Sequence, residues 1–238
     1  MDLEDKNAIG GLDRLITNVA LAVIAVFPTL GAAFVMPWKL APLLSSDEPD
    51  GRKSMLLSPG AFLPLSLTVI LLFAATVSTS ETVASNGGAI GPGLAVDVAQ
   101  AASEGDLWRT VSLIAPIYIL AIVIAVLSQL LRRWIGSWWT LRTALRAAFY
   151  QVAVTVCWII VSSSIIDAYR VATNNHEVGR LLYDLNSIPI FGISLWLFFW
   201  FFQSDEKTAK LTAMVLAFAM FALTFAFISG AGWLFGQI

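Results

Sequence analysis

Charge is what this sequence has least of. Only 13% of its 238 residues are Asp, Glu, Lys or Arg, while 58% are hydrophobic and the mean hydropathy is +0.80. A soluble domain carries about a quarter charged residues, and a chain this apolar cannot cover itself in water, though in lipid it need not. The net charge of −2 leaves no basic field for a nucleic acid. The single cysteine, Cys157, excludes an internal disulfide, and the single histidine, His176, excludes a multi-histidine metal centre within one chain. No charged residue lies deep in an apolar run, so a voltage sensor or coupled pump lacks its usual parts. No internal repeat is evident, which disfavours an inverted-repeat transporter. No Lys–Ser/Thr pair follows the glycines at 87, 88, 91 and 93, so that stretch reads as a loop and not as a phosphate cradle.

What the chain does have is long apolar runs. A membrane-crossing helix needs about 20 apolar residues. Runs at Ala61–Thr79, Val111–Leu131, Ala147–Ile166, Ile188–Phe202 and Leu211–Phe235 meet or approach that length. The N-terminal run, Leu15–Met36, is interrupted by Pro28, which removes a hydrogen bond and kinks a helix. The expectation is an all-α, polytopic transmembrane helical bundle with five full spans plus an N-terminal re-entrant or interfacial helix, or a sixth span if Pro28 is absorbed. The whole of 1–238 forms one integral membrane domain: a polar tail at 1–14, the N-terminal helix at 15–36 and the bundle at 61–236. Leu94–Ser103 reads as a short surface helix, and Asp167–Ser187 as a polar loop.

Orientation follows from the patch L-L-R-R-W-I-G-S-W-W-T-L-R at 130–142. Arg avoids hydrocarbon and Trp prefers the headgroup level, so Arg132, Arg133, Trp134, Trp138, Trp139 and Arg142 read as anchors at the membrane surface. Placing them in the cytoplasm puts 11 basic residues inside and 3 outside if residues 15–36 do not cross, or 9 and 5 if they do. The first arrangement fits the positive-inside rule better, with a cytoplasmic N-terminus and a periplasmic C-terminus. The start M-D-L-E-D-K is acidic, unlike a cleaved secretory leader or an Arg-rich transit peptide. A multi-pass protein of a bacterial inner membrane is expected.

Between Pro37 and Phe73 the chain reads P-W-K-L-A-P-L-L, then a polar insert containing D-G-R, then L-L-S-P-G-A-F-L-P-L-S-L-T-V-I-L-L-F. This resembles bacterial members of the Yip1-like family, in which a partly inserted N-terminal helix leads to an S-P-x-x-F-L entry into the first span. Ser58, Pro59 and Phe62 match that entry. The resemblance implies a membrane protein that is not an enzyme, acts through partners or membrane organisation, and supplies no catalytic residues.

Several residues carry candidate chemistry. Gln151, Thr155 and Ser162 are spaced by four and seven, which places them on one helix face. Such a face lines a solute route or, more commonly, hydrogen-bonds a neighbouring helix. His176, with Trp196 and Trp200 of the aromatic block, is a weak candidate for holding a lipid, pigment or quinone; no cofactor is otherwise implied. Ala213 and Ala217, then Ala222, Ala226 and Gly230, recur at four-residue spacing, and Gly232 and Gly236 form GxxxG. Small residues so spaced let helix backbones approach closely, within the bundle or against a partner subunit. Cys157, beside Trp158 in mid-run, packs as a small hydrophobe. Asp167, His176 and Asp184 are the only candidates for interfacial acid–base work, and no nucleophile completes a set.

Three functions compete. The first is a non-enzymatic inner-membrane protein that organises the membrane or serves as an accessory, structural subunit of a larger membrane complex, with lipid and other membrane subunits as partners. The second is a small-solute or ion transporter or channel along the face of Gln151. The third is a membrane enzyme.

Overall fold

The computed structural model describes residues 3–40, 43–44, 56–77, 92–134, 140–174, 176–203 and 210–235. They form helices α1 (Leu3–Val35), α2 (Pro59–Val77), α3 (Pro92–Ser103), α4 (Leu107–Trp134), α5 (Leu141–Thr173), α6 (His176–Gln203) and α7 (Lys210–Phe235), with a short 3-10 turn at Pro37–Lys39. Among the described residues there is no strand. Four segments are long and apolar enough to cross a membrane, Thr17–Val35, Leu107–Arg133, Leu141–Thr173 and Glu177–Gln203, and they mark a membrane protein. Two further apolar helical stretches, Pro59–Ala74 and Lys210–Thr224, are shorter than a span over their described residues.

The membership of that set differs from the expectation at the N-terminus. Helix α1 runs unbroken through Pro28. One residue beyond Pro28, the Thr29 hydroxyl donates to Ala25 O (2.7 Å) and accepts from Leu57 N (2.9 Å), which pins this part of the helix to the chain entering α2.

Helix α5 is the axis of the bundle. It packs against α1, α2, α3, α4 and α6, and α7 closes the far side against α4 and α6. Buried residues make up 61% of its apolar window, against 17–29% for the other three candidate spans. The sequence explains this: Ala144, Ala147, Ala148 and Ala153 bring neighbours close on several sides, while Tyr150, Val152, Val154, Val156 and Ile160 fill the gaps. Thr140 caps its start, accepting from Thr143 N (3.2 Å).

The helix ends also differ from the hydropathy pattern. The expected loop over 167–187 is helical except for a tight turn. Asp167 is inside α5, 1% exposed and within 3.4 Å of the Arg170 guanidinium one turn on. The helix stops where Asn174 takes a left-handed conformation (φ 50°), a role Asn fills readily, and α6 begins at His176. Hydropathy marks where a helix leaves hydrocarbon, not where its hydrogen bonds stop. The short helix expected at Leu94–Ser103 is present as α3, with Leu94, Val98 and Ala101 buried against α2 and α4. Its corner into α4 is written in Glu104-Gly105-Asp106. Gly105 (φ 71°) ends α3, Asp106 N returns to Ala101 O (3.0 Å), and the Asp106 carboxylate accepts from Arg109 N (2.9 Å) to start α4.

Candidate functional site

The intramembrane polar residues fall into separate groups. Gln151, 2% exposed, donates from Nε2 to Thr155 Oγ1 (3.4 Å), one turn along α5. Thr155 Oγ1 in turn lies 3.5 Å from Ser194 Oγ on α6. Both contacts are long, close to the limit of a useful hydrogen bond. The Gln151 Oε1 has no partner among the described residues, and neither does the buried Thr224 Oγ1 on α7.

These groups border one cavity of about 240 Å³ between α4, α5, α6 and α7. Its walls are otherwise apolar: Leu120 and Ile124 from α4, Val152, Val156 and Ile159 from α5, Ile190, Phe191 and Phe198 from α6, and Phe221 from α7. Phe191 and Phe221 meet edge to face there, 4.8 Å apart at 87°. An apolar chamber with a few convergent polar groups is the usual form of a small-molecule site. Each buried polar atom left without a partner costs about 1–3 kcal/mol, so a molecule that satisfied them would recover that energy.

Ser162 does not join this group, although it shares the face of Gln151. Eleven residues of helix separate them by about 16 Å along the axis. Ser162 belongs to a second clasp: it donates to Trp158 O (2.6 Å) and accepts from Asn186 Nδ2 (2.7 Å), while Asn186 Oδ1 accepts from Trp158 Nε1 (3.1 Å). A third junction lies at the entry to α2, where the Tyr150 hydroxyl donates to Leu57 O (2.6 Å). With Thr29 on Leu57 N, both polar backbone groups of Leu57 are satisfied by other helices.

Arg132 is the sharpest departure from the surface patch expected at 130–142. It is 1% exposed, and its Nη2 donates to Phe201 O (3.3 Å) and Phe202 O (2.5 Å), with the guanidinium 5.3 Å from the centre of the Phe202 ring. It therefore caps the C-terminal carbonyls of α6 from the end of α4, at the end of a helix dipole that favours a cation. Arg133 and Arg142 are exposed, as lipid-headgroup anchors require. Trp138 and Trp139 lie outside the described residues, as does the side chain of Trp134.

The weak cofactor candidates do not converge. His176 opens α6, about 30 Å along the helix from Trp196; its side chain is outside the described part. Trp196 and Trp200 instead pack on each other (5.5 Å), and Trp38 of the 3-10 turn covers Trp200 (5.2 Å). Asp167 is buried in α5 and Asp184 is exposed on α6, so the acid–base candidates share no loop. On α7, Ala213 and Ala217 are buried while Ala222 is exposed. Gly230 and Gly232 are within the helix; the Ala226 side chain and Gly236 lie outside the described residues.

Sequence reading missed Ser194, Thr224 and Asn186. For Ser194 and Thr224 the signal was present, since each is a lone polar residue in an apolar or aromatic run; Asn186 was hidden among the polar residues of the expected loop, beside Asp184 and Ser187. No family model, no curated protein and no solved structure matches the chain.

Proposed function

We propose that this chain is a non-enzymatic multi-pass protein of a bacterial inner membrane, acting in membrane organisation or as an accessory subunit of a larger membrane assembly. The observation that carries this reading is how the intramembrane polar groups are used. Gln151 and Thr155 reach toward Ser194, Trp158 and Ser162 bind Asn186, Tyr150 and Thr29 bind Leu57, and Arg132 caps α6. The sets tie α5 to α6 at two levels, α1 and α5 to the chain entering α2, and α4 to the end of α6. Polar side chains spent in this way rigidify a bundle, whereas a conduit strings them along one continuous path.

In this reading α2, α4, α5, α6 and α7 cross the membrane, with Arg133 and Arg142 on the cytoplasmic side. The N-terminus is cytoplasmic and the C-terminus periplasmic. The entry at Ser58–Phe62, matching the Yip1-like pattern, supports the same class. The exposed apolar residues of α7, including Leu211, Val215 and Phe218, are available to lipid or to a partner helix.

The test is purification of the tagged protein from native membranes in mild detergent, read by native gel and mass spectrometry, together with solute flux in proteoliposomes. A stoichiometric membrane partner and no flux above empty liposomes are expected. A lone band with flux that Thr155→Leu abolishes would replace this reading with that of a small-solute channel or transporter.

A further inference from the structure

We propose that the cavity between α4, α5, α6 and α7 binds a small apolar molecule carrying a single hydroxyl group, held through that hydroxyl at Gln151. The inference is independent of whether the protein has a partner.

The size of the occupant follows from the volume. An apolar protein cavity of about 150 Å³ stays dry and takes up benzene. At about 240 Å³ this one has room for a substituted ring or a short alkyl chain. The edge-to-face pair of Phe191 and Phe221 in its wall favours a ring, because a third aromatic group can pack against it in offset geometry.

The polar group follows from what the walls leave unmet. Gln151 is 2% exposed, its Nε2 is turned to Thr155, and its Oε1 has no partner among the described residues. A carbonyl oxygen only accepts, so the molecule must bring a donor. A hydroxyl meets that need by donating to Gln151 Oε1. A ketone or ether would leave Gln151 Oε1 unmet. A carboxylate would set charge against that oxygen, and an ammonium would have to be desolvated with no counter-charge in the cavity wall. Water satisfies the polar end but not the chamber of Leu, Ile, Val and Phe behind it.

The experiment uses the full chain in mild detergent with two probes, 4-propylphenol and 4-propylanisole, which share a ring and chain but differ in the hydroxyl donor. Binding is measured by equilibrium dialysis against matched empty micelles, which removes partition into detergent. The expected result is saturable binding of about one 4-propylphenol per chain, with the anisole about tenfold weaker, the worth of one net hydrogen bond. Gln151→Leu should bring the two probes to within about twofold of each other. Val156→Phe, which adds bulk to the wall, should abolish binding of both; it keeps the test decisive if Gln151→Leu does not fold. Absence of saturable phenol binding, a phenol preference that survives Gln151→Leu, or undiminished binding by Val156→Phe would each overturn the proposal.

Discussion

Arg132→Met removes a buried cation that two backbone carbonyls depend on. In the folded protein the guanidinium donates to Phe201 O and Phe202 O and lies over the Phe202 ring. Without it, those carbonyls at the end of α6 have lost a buried donor, at about 1–3 kcal/mol each. The helix dipole and the ring contact add about 0.5–2 kcal/mol each when desolvated. Against this, methionine no longer pays to bury a charge, a term of several kcal/mol for an ion in a low-dielectric site. The buried carbonyls remain in either case, and the net loss is about 2–4 kcal/mol. For a chain of this length that lowers Tm by roughly 5–15 °C. The assay is thermal unfolding in detergent followed by tryptophan fluorescence. Arg133→Met is the control, since Arg133 is exposed on the same helix turn and should change Tm by no more than about 2 °C. Arg132→Lys should fall between, because an ammonium keeps the charge but not the planar fork. If Arg132→Met and Arg133→Met unfolded at the same temperature, the capping role of Arg132 would be refuted.

Tyr150→Phe should cost about 1–2 kcal/mol and raise amide exchange at residues 56–58, because Leu57 O then loses its inter-helix donor; unchanged exchange there would show that Thr29 alone holds the entry to α2. Asn186→Leu breaks both bonds of the clasp with Trp158 and Ser162 and should lower stability by about 1–3 kcal/mol, read as a Tm shift with altered tryptophan emission. Ala217→Leu should destabilise by about 1–3 kcal/mol through overpacking against the bundle, whereas Ala222→Leu, on the exposed side of α7, should leave the isolated protein unchanged and report instead on any partner contact in a pull-down. Asn7→Cys should resist a membrane-impermeant maleimide in intact cells if the N-terminus is cytoplasmic; labelling would mean that α1 crosses.

The class of this protein is legible in its composition, because the cost of leaving backbone groups unpaired in lipid permits so few solutions for a chain this apolar. Helices α2, α4, α5 and α7 were legible in outline for the same reason. The extent of α5 and α6 was not: Asp167, Arg170 and Asp184 look like loop residues by polarity, yet a helix can carry polar residues beyond the hydrocarbon, and α5 ends only at Asn174. Pro28 reads as a kink in the sequence, yet α1 runs on through it, and beside it Thr29 is tied to Leu57 of another segment. In the site, the four-residue spacing of Gln151 and Thr155 predicted a shared face, which local geometry guarantees. That Ser162, farther along the same face, meets Asn186 and not the cavity, that Arg132 turns from the surface to the end of α6, and that Ser194 and Thr224 border the same cavity as Gln151 depend on how neighbouring helices are rotated and shifted. Periodicity within one helix carries no information about the register of the next, and that register is decided only when the side chains pack.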